Sequence, residues 1–516
     1  MDKAPTTLRK KHLIFIPILI ITILTIAEVC MFKAFPALDY DEIVVFNISK
    51  QPWDVFVKSI SSEPHPIGFY LILKLISWRG NFLTRTILLV LGNSLMALSL
   101  LIGNKYKVWE RNKLYPGICL FIASYAFFTC TTRVKQDVLT TPLLFLFLTL
   151  YLIFKDTKNT TALSFMTLTT VVMMLLGLRP FINSLVIWIY ELTLQTKAKR
   201  NAESNTLRQI HICLLVIGLF FVTYMGAFGI SQVVNNLDRM VWVKNFDNNF
   251  SRIITQVYLP FKGASRYSEV SFALLLTLII KELKGIKEGK IKGTEKDILV
   301  ITIATLILGY ITQSYVNIRY SIFMLLLFNL LISKYLYKIN LNIVSFITLS
   351  YLILTIVLAT IYFTDLNNNN TALKEYLKRY ASINNDGMLW LTDGYPMSSI
   401  YLSTYPELSN RIHAIHLDDD YYIDYDVLTL ERNRNKSYWK DIGKENIMSL
   451  LENQFKSGYR RVLYATNKPK TSSYMRTDLL KYLEEKCTLK KIEDLEKFAW
   501  MFIYYEGCNP NVPAIQ

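Results

Sequence analysis

The tightest constellation in the chain is a run of three acids around one tyrosine, Asp39-Tyr40-Asp41-Glu42, by itself a weak signal. A carboxylate in such a run could take a proton from an acceptor hydroxyl or hold a divalent cation. The plain alternative is a solvated acidic turn. Two further acids, Glu63 and Asp137, fall beside apolar segments, as do the bases Arg133, Lys135, Arg179, Lys262, Arg266 and Arg319. Arg and Lys supply charge-assisted hydrogen bonds to phosphate oxygens, so the bases could hold a phosphate group. Taken singly, each is equally served by an anionic lipid headgroup or by an ion pair with a nearby acid.

The segments that must position these residues are apolar. Of the 516 residues, 52% are hydrophobic, and they fall in blocks rather than evenly. The blocks are roughly 15–22 residues long, close to what a helix needs to cross a bilayer. In lipid every backbone N–H and C=O must be satisfied internally, which predicts helices. The first runs from Leu13 to Met31 behind Arg9-Lys10-Lys11. It is longer than a signal-peptide core, and no small-residue cleavage site follows it. Further blocks lie at 83–102, 114–130, 138–154, 162–178, 181–194, 210–230, 269–280, 298–311, 318–332 and 343–363. The run Ile67–Trp78 is too short to span and is expected along the membrane surface.

Charge orders these blocks. The loops Lys105–Lys113, Lys155–Lys158, Lys197–Arg208, Lys281–Lys296 and Lys334–Lys338 are all basic. Basic short loops mark the cytoplasmic side. The alternation fits about eleven spans with the N-terminus cytoplasmic. The net charge of +17 is then a topology signal, which removes the argument for a nucleic-acid partner. The bases named above fall on the opposite face, where that bias should deplete them. As a group beside an acidic loop they favour a site.

This gives two domains: a membrane domain over 1–363, with the acidic motif in an outer loop over 33–82, and an extracytoplasmic domain over 364–516. The second begins with the linker-like run Asn367–Asn370. Short apolar stretches (Met388–Leu391, Arg461–Ala465, Ala499–Tyr505) then alternate with helical patterns (Ile447–Phe455, Leu479–Lys486), which reads as a small α/β domain. Cys487 and Cys508 are its two cysteines, either a pair or two free thiols. No cysteine pair has zinc-ligand spacing.

The order of features resembles the GT-C superfamily of membrane glycosyltransferases, over about residues 1–335. It looks most like the branch holding the protein O-mannosyltransferases and the aminoarabinose transferases of lipid A. An acidic D-E loop follows the first span, then Glu63-Pro64-His65-Pro66-Ile67. Arg85 opens a span, Arg133 to Asp137 opens another, and Ile318-Arg319-Tyr320 opens a late one. The resemblance implies a polyprenyl-phosphate-linked sugar donor, transfer on the outer face, and an acceptor hydroxyl on a protein, lipid or glycan. It matches the family's catalytic acid to Asp41 and Glu42, its H-P-P-L motif to His65-Pro66-Ile67, its Arg and Asp to Arg133 and Asp137, and its late R-Y to Arg319-Tyr320. The second proline of H-P-P is Ile67 here. His65, Arg133, Lys262, Arg266 and Arg319 would then meet the donor phosphate. Asp39 and a divalent cation stay open as further parts of the site. The outer loop from Ser231 to Ser268 could close over it, with Trp242, Phe246 and Tyr258 stacking on a sugar or isoprenoid or forming an interfacial belt. The bacterial plasma membrane is the expected location.

Three other classes remain, one of them a membrane-anchored binding module in which the C-terminal domain does the work. A cell-envelope polysaccharide polymerase or ligase also has many spans and outer-face arginines, but typically lacks the early D-E loop. A lipid or polysaccharide transporter needs polar residues along its path, and the spans carry few besides Glu28.

Overall fold

The computed structural model describes residues 14–61, 66–198, 204–230, 268–289, 293–311, 322–339, 341–382, 387–393, 408, 411–417, 422–424, 444–467, 474–495 and 500–509. The chain divides into two compact units. One comprises Met1–Pro36 with Ser49–Phe363, the other Ala37–Ile48 with Thr364–Gln516.

The first unit is helical. Its elements are α1 (Phe15–Ala34), the end of α2 (Tyr40–Lys50), α3 (Trp53–Ser61), α4 (Ile67–Ile76), α5 (Asn81–Lys105), α6 (Val108–Arg111), α7 (Tyr115–Ile122), α8 (Tyr125–Thr132) and α9 (Asp137–Thr157). There follow α10 (Thr160–Leu176), α11 (Leu178–Ala198), α12 (Ser204–Tyr224), α13 (Ser268–Lys287), α14 (Thr294–Ile311), α15 (Ile322–Leu336) and the greater part of α16 (Leu341–Ala381). Among the described residues, five helical segments are long and apolar enough to cross a membrane: Phe15–Ala34, Asn81–Lys105, Asp137–Thr157, Asn205–Gly229 and Asn342–Ala381. The number rises to six if α7 and α8 form one broken span. These helices are compatible with an integral membrane protein.

The count falls short of the eleven apolar blocks for physical reasons. The block at 114–130 is two helices bent by 55°. Ser124 makes the break, because its side chain accepts from the Phe127 N–H and caps α8. Helices α10 and α15 are apolar but shorter than a full span. Helix α14 opens on Glu295 and Asp297, which dilute its apolar run.

Helix α9 is the centre of the bundle: 94% of its apolar window is buried, against 17% for Asn205–Gly229. It is apolar all round, as an enclosed helix should be. Its neighbours approach closely. A Cβ on Gly92 of α5 would strike the Val138 carbonyl of α9, and one on Gly117 of α7 would strike the Asn329 carbonyl of α15. Small residues at such crossings let backbones pack without lipid between them. Ser333 ties the second crossing, accepting from the Gly117 N–H at 3.0 Å and donating to the Lys113 carbonyl at 2.8 Å.

The second unit holds a six-stranded mixed sheet of β1 (Met388–Asp393), β2 (Ile412–Leu417), β3 (Tyr422–Asp424), β4 (Arg461–Asn467), β5 (Thr488–Leu495) and β6 (Trp500–Glu506). The order is β3-β2-β1-β4-β6-β5, with β1 parallel to both β2 and β4. Side chains alternate across it. Leu389, Leu391, Val462, Tyr464, Ile503 and Tyr505 share a core with α17 (Lys444–Lys456) and α18 (Tyr474–Lys486). Phe502 stacks instead on Tyr376 of α16 at 5.3 Å between ring centroids, and Tyr504 lies tilted against Tyr380 at 4.5 Å. Burial, and then the hydrogen bond from Tyr504 to Glu506, push the Tyr504 hydroxyl up to about 12. Cys487, just past α18, is bonded to Cys508, just past β6.

The run Asn367–Asn370 is helical and lies within α16; it is not a linker. Its far end is held by the sheet. Besides the two ring pairs, Arg461 of β4 donates from Nη1 to the Tyr380 carbonyl at 2.8 Å, satisfying a helix-end acceptor. Asn370 itself donates to the Leu38 carbonyl at 3.2 Å. A helix fixed on both sides of four asparagines carries them despite their modest propensity.

Candidate functional site

The acidic run begins a helix. Asp39 precedes α2, and its Oδ1 accepts from the Glu42 N–H at 2.9 Å. The Glu42 Oε2 reaches back to accept from the Asp39 N–H, also at 2.9 Å. This is a reciprocal capping box, which satisfies two backbone donors that a helix start otherwise leaves open. Both carboxylates are buried; Glu42 is 1% exposed. The segment is therefore a rigid helix start and not a solvated turn. Asp41 lies between the capping partners, second in the helix. Asp39 and Glu42 have a positioning job that accounts for their identities.

The basic residues that can be described lie in the first unit. Arg133 follows α8 in extended conformation, and its guanidinium lies over the Tyr362 ring at 4.9 Å. Arg85, 3% exposed, lies in the first turns of α5 over Phe32 at 4.9 Å and Phe363 at 5.9 Å. Two arginines thus converge on one turn of α16. Lys135 and Asp137 are buried in the short link from Arg133 into α9, where the Lys135 N–H donates to the Arg133 carbonyl at 2.7 Å. Arg179 is half-buried at the start of α11. Both guanidinium planes are braced by aromatic faces.

Glu63, His65, Lys262, Arg266, Arg319 and Tyr320 lie outside the described residues, as do Trp242, Phe246 and Tyr258. Among the described residues no group of three or more His, Cys, Asp and Glu is placed to hold a metal ion.

Sequence reasoning noted Glu28 and passed over its surroundings. It is fully buried in α1, and its Oε1 accepts from Thr131 of α8 at 3.2 Å. Beside it Asn93 of α5 donates to Thr25 at 2.8 Å. Position in the span and a polar residue on each neighbouring helix would have flagged the group.

The opposite helix ends carry a different set. Lys155 at the end of α9 meets Glu191 of α11 at 3.6 Å and Asp297 of α14 at 3.3 Å. Tyr190 donates to Asp297 at 2.6 Å, and Gln195 to Glu191 at 2.7 Å. Lys334 of α15 meets Glu282 of α13 at 2.5 Å and Glu295 of α14 at 3.1 Å, with Tyr335 also donating to Glu282. Arg111 pairs with Asp156 at 3.1 Å on the surface.

No protein-family model matches the chain, and no curated protein matches it.

Proposed function

We propose that the chain is a membrane glycosyltransferase of GT-C type that moves a sugar from a polyprenyl-phosphate donor to an acceptor hydroxyl on the outer face of the membrane. The observation that carries this reading is the capping box. It makes the acidic motif after the first span a rigid helix start, and a base for group transfer needs such a mount. In the proposed reaction Asp41 takes the acceptor hydroxyl proton. The acceptor oxygen bonds to the anomeric carbon as the bond to the phosphate oxygen breaks, and the electron pair leaves with the prenyl phosphate. One in-line displacement inverts the configuration. Base assistance of this kind is typically worth about 10²–10⁴-fold. Glu42 holds the helix start, and Arg133, with His65, Lys262, Arg266 or Arg319, offsets the charge on the departing phosphate.

Two further features support the arrangement. The ion pairs gather the C-terminal ends of α9, α11, α13 and α15 with the start of α14. Those ends adjoin the basic loops, which the charge pattern puts on the cytoplasmic side. The Cys487–Cys508 bond belongs in an oxidising compartment, which fits an extracytoplasmic second unit.

The test is transfer of radiolabelled sugar from membranes loaded with polyprenyl-phosphate sugars, wild type against Asp41→Asn. Label should reach an acceptor in the wild type alone, with expression and membrane insertion equal. Near-normal transfer by the variant removes Asp41 as base. No transfer from any donor by well-folded wild type returns the polymerase, ligase and transporter readings.

A further inference from the structure

Three loops meet at the C-terminal ends of α5, α9 and α15. Lys105–Lys113 is joined to Lys155–Lys158 by the ion pair of Arg111 with Asp156 at 3.1 Å. It is joined to Lys334–Lys338 through Lys113, whose carbonyl accepts from Ser333 at 2.8 Å and whose ammonium lies over the Tyr337 ring at 5.8 Å. Beneath them Trp109 of α6 is fully buried, donating to the Leu100 carbonyl at 3.2 Å and stacked on Phe145 of α9 at 5.4 Å. The loops therefore form one surface. Its acids are engaged. Asp156 holds Arg111, while Lys155 and Lys334 are held by the carboxylates of α11, α13 and α14. Glu110 is the one other acid in the three loops. Lys105, Lys107, Lys113, Lys158 and Lys338 are exposed, and among the described residues none of the five forms an ion pair.

Three of these lysines stand where the backbone favours glycine. Among the described residues, the non-glycine residues with left-handed backbone are Lys107, Lys113 and Lys158, at φ of 56°, 55° and 53°. The turns themselves are needed. They let the N–H groups of Lys107, Lys113 and Lys158 reach the carbonyls of Asn104, Glu110 and Phe154 at 2.8, 3.1 and 2.8 Å, closing α5, α6 and α9. Glycine takes this conformation without strain and is the usual choice. A helix dipole favours a cation near a helix end, and topology favours one in a cytoplasmic loop. Either is served by a lysine one residue away, so neither explains the strained positions. Lys105 ends α5 and Lys158 follows α9, two segments long and apolar enough to cross a membrane, which sets the surface at headgroup depth. We infer that this surface binds the headgroups of anionic phospholipids, with Lys107, Lys113 and Lys158 as its principal contacts. Their ammonium groups make charge-assisted hydrogen bonds to phosphodiester oxygens. A zwitterionic headgroup brings its own cation and gains little. Exposed Tyr337 lies at the same level, as an aromatic residue does at a membrane interface. The inference rests on α5 and α9 crossing the membrane and is independent of the transfer reaction above.

The test uses the full chain in neutral detergent, titrated with phosphatidylglycerol, phosphatidylcholine or inorganic phosphate while the melting temperature is followed. Phosphatidylglycerol alone should raise it. Lys107→Gln, Lys113→Gln and Lys158→Gln should each raise the phosphatidylglycerol needed for half the effect by about fivefold, while Lys158→Arg keeps the wild-type response. Lys107→Gly and Lys158→Gly should melt higher than the wild type in detergent alone, because glycine relieves the left-handed turn, and should respond less to phosphatidylglycerol. Glycine variants that melt lower would show that these lysines serve the fold, and would overturn the inference. So would a phosphatidylglycerol response that all three glutamine variants leave unaltered. An equal response to phosphatidylcholine or to inorganic phosphate would reject the anionic lipid as ligand. Failure of these titrations alongside successful sugar transfer would reject the surface and leave the transferase reading intact.

Discussion

Where α9, α11, α13 and α15 finish, Lys155 and Lys334 are each held by two carboxylates; where α9 begins, Arg85 and Arg133 lie over aromatic rings. Both ends keep cations partly out of water, by different means. A lysine between two carboxylates, both buried at Lys155 and one buried at Lys334, is closed chemistry, and each group acts as a clasp on three helices at a time. A guanidinium plane on an aromatic face is braced without being locked between two acids. Similar charge therefore marks a fastening at one end and a candidate binding surface at the other.

The largest effect that would sharpen this contrast is expected at the clasp. Lys155→Met strands Glu191 and Asp297 and should cost about 3–5 kcal/mol, read as a fall in melting temperature in detergent. Transfer per folded molecule should stay close to wild type; a stable Lys155→Met protein would erase the distinction. Next comes Arg133→Gln, which should lower donor-dependent transfer by about 10²-fold while stability changes by less than about 1 kcal/mol. A melting-temperature loss as large as that of Lys155→Met would make Arg133 another fastening. Asp39→Ala removes one half of the capping box and should cost about 1 kcal/mol, with transfer falling only as far as the helix start loosens. The smallest effect is expected of Arg111→Ala, whose exposed pair with Asp156 is worth about 0–1 kcal/mol and weakens with salt.

The apolar blocks were legible because hydropathy over twenty residues is a strong signal, and α1, α5 and α9 fall on them. The break at Ser124 was not, because an average over 114–130 hides one capping serine. In the second unit, β1, β4 and β6 coincide with the apolar stretches read from the sequence. Strand β5 was missed: Thr488–Leu495 is rich in charge, as suits an edge strand that must not recruit another sheet. Strand β2 was missed because two histidines interrupt its short apolar run. The acidic motif shows the ambiguity most sharply. Read for chemistry, Asp39, Asp41 and Glu42 form one cluster; read for capping, Asp39 and Glu42 are a D-x-x-E helix start. The hydrogen bonds bear out the capping reading for the outer pair, Asp39 and Glu42. Arg85 and Arg133 could be seen only as span-opening bases, because their meeting on Tyr362 and Phe363 joins helices far apart in sequence.

The burial of α9 sets an order of events during synthesis. Its apolar length suffices for it to enter lipid as soon as it is made. In the finished unit it touches α5, made before it, and α10, α11 and α15, made after. If α9 enters lipid as it is made, one side of it faces lipid until Leu336 has followed and that side faces protein. A nascent chain arrested in that interval exposes the bundle's central helix to the quality-control machinery of the membrane, so truncations before α15 should be cleared quickly and those after it should persist.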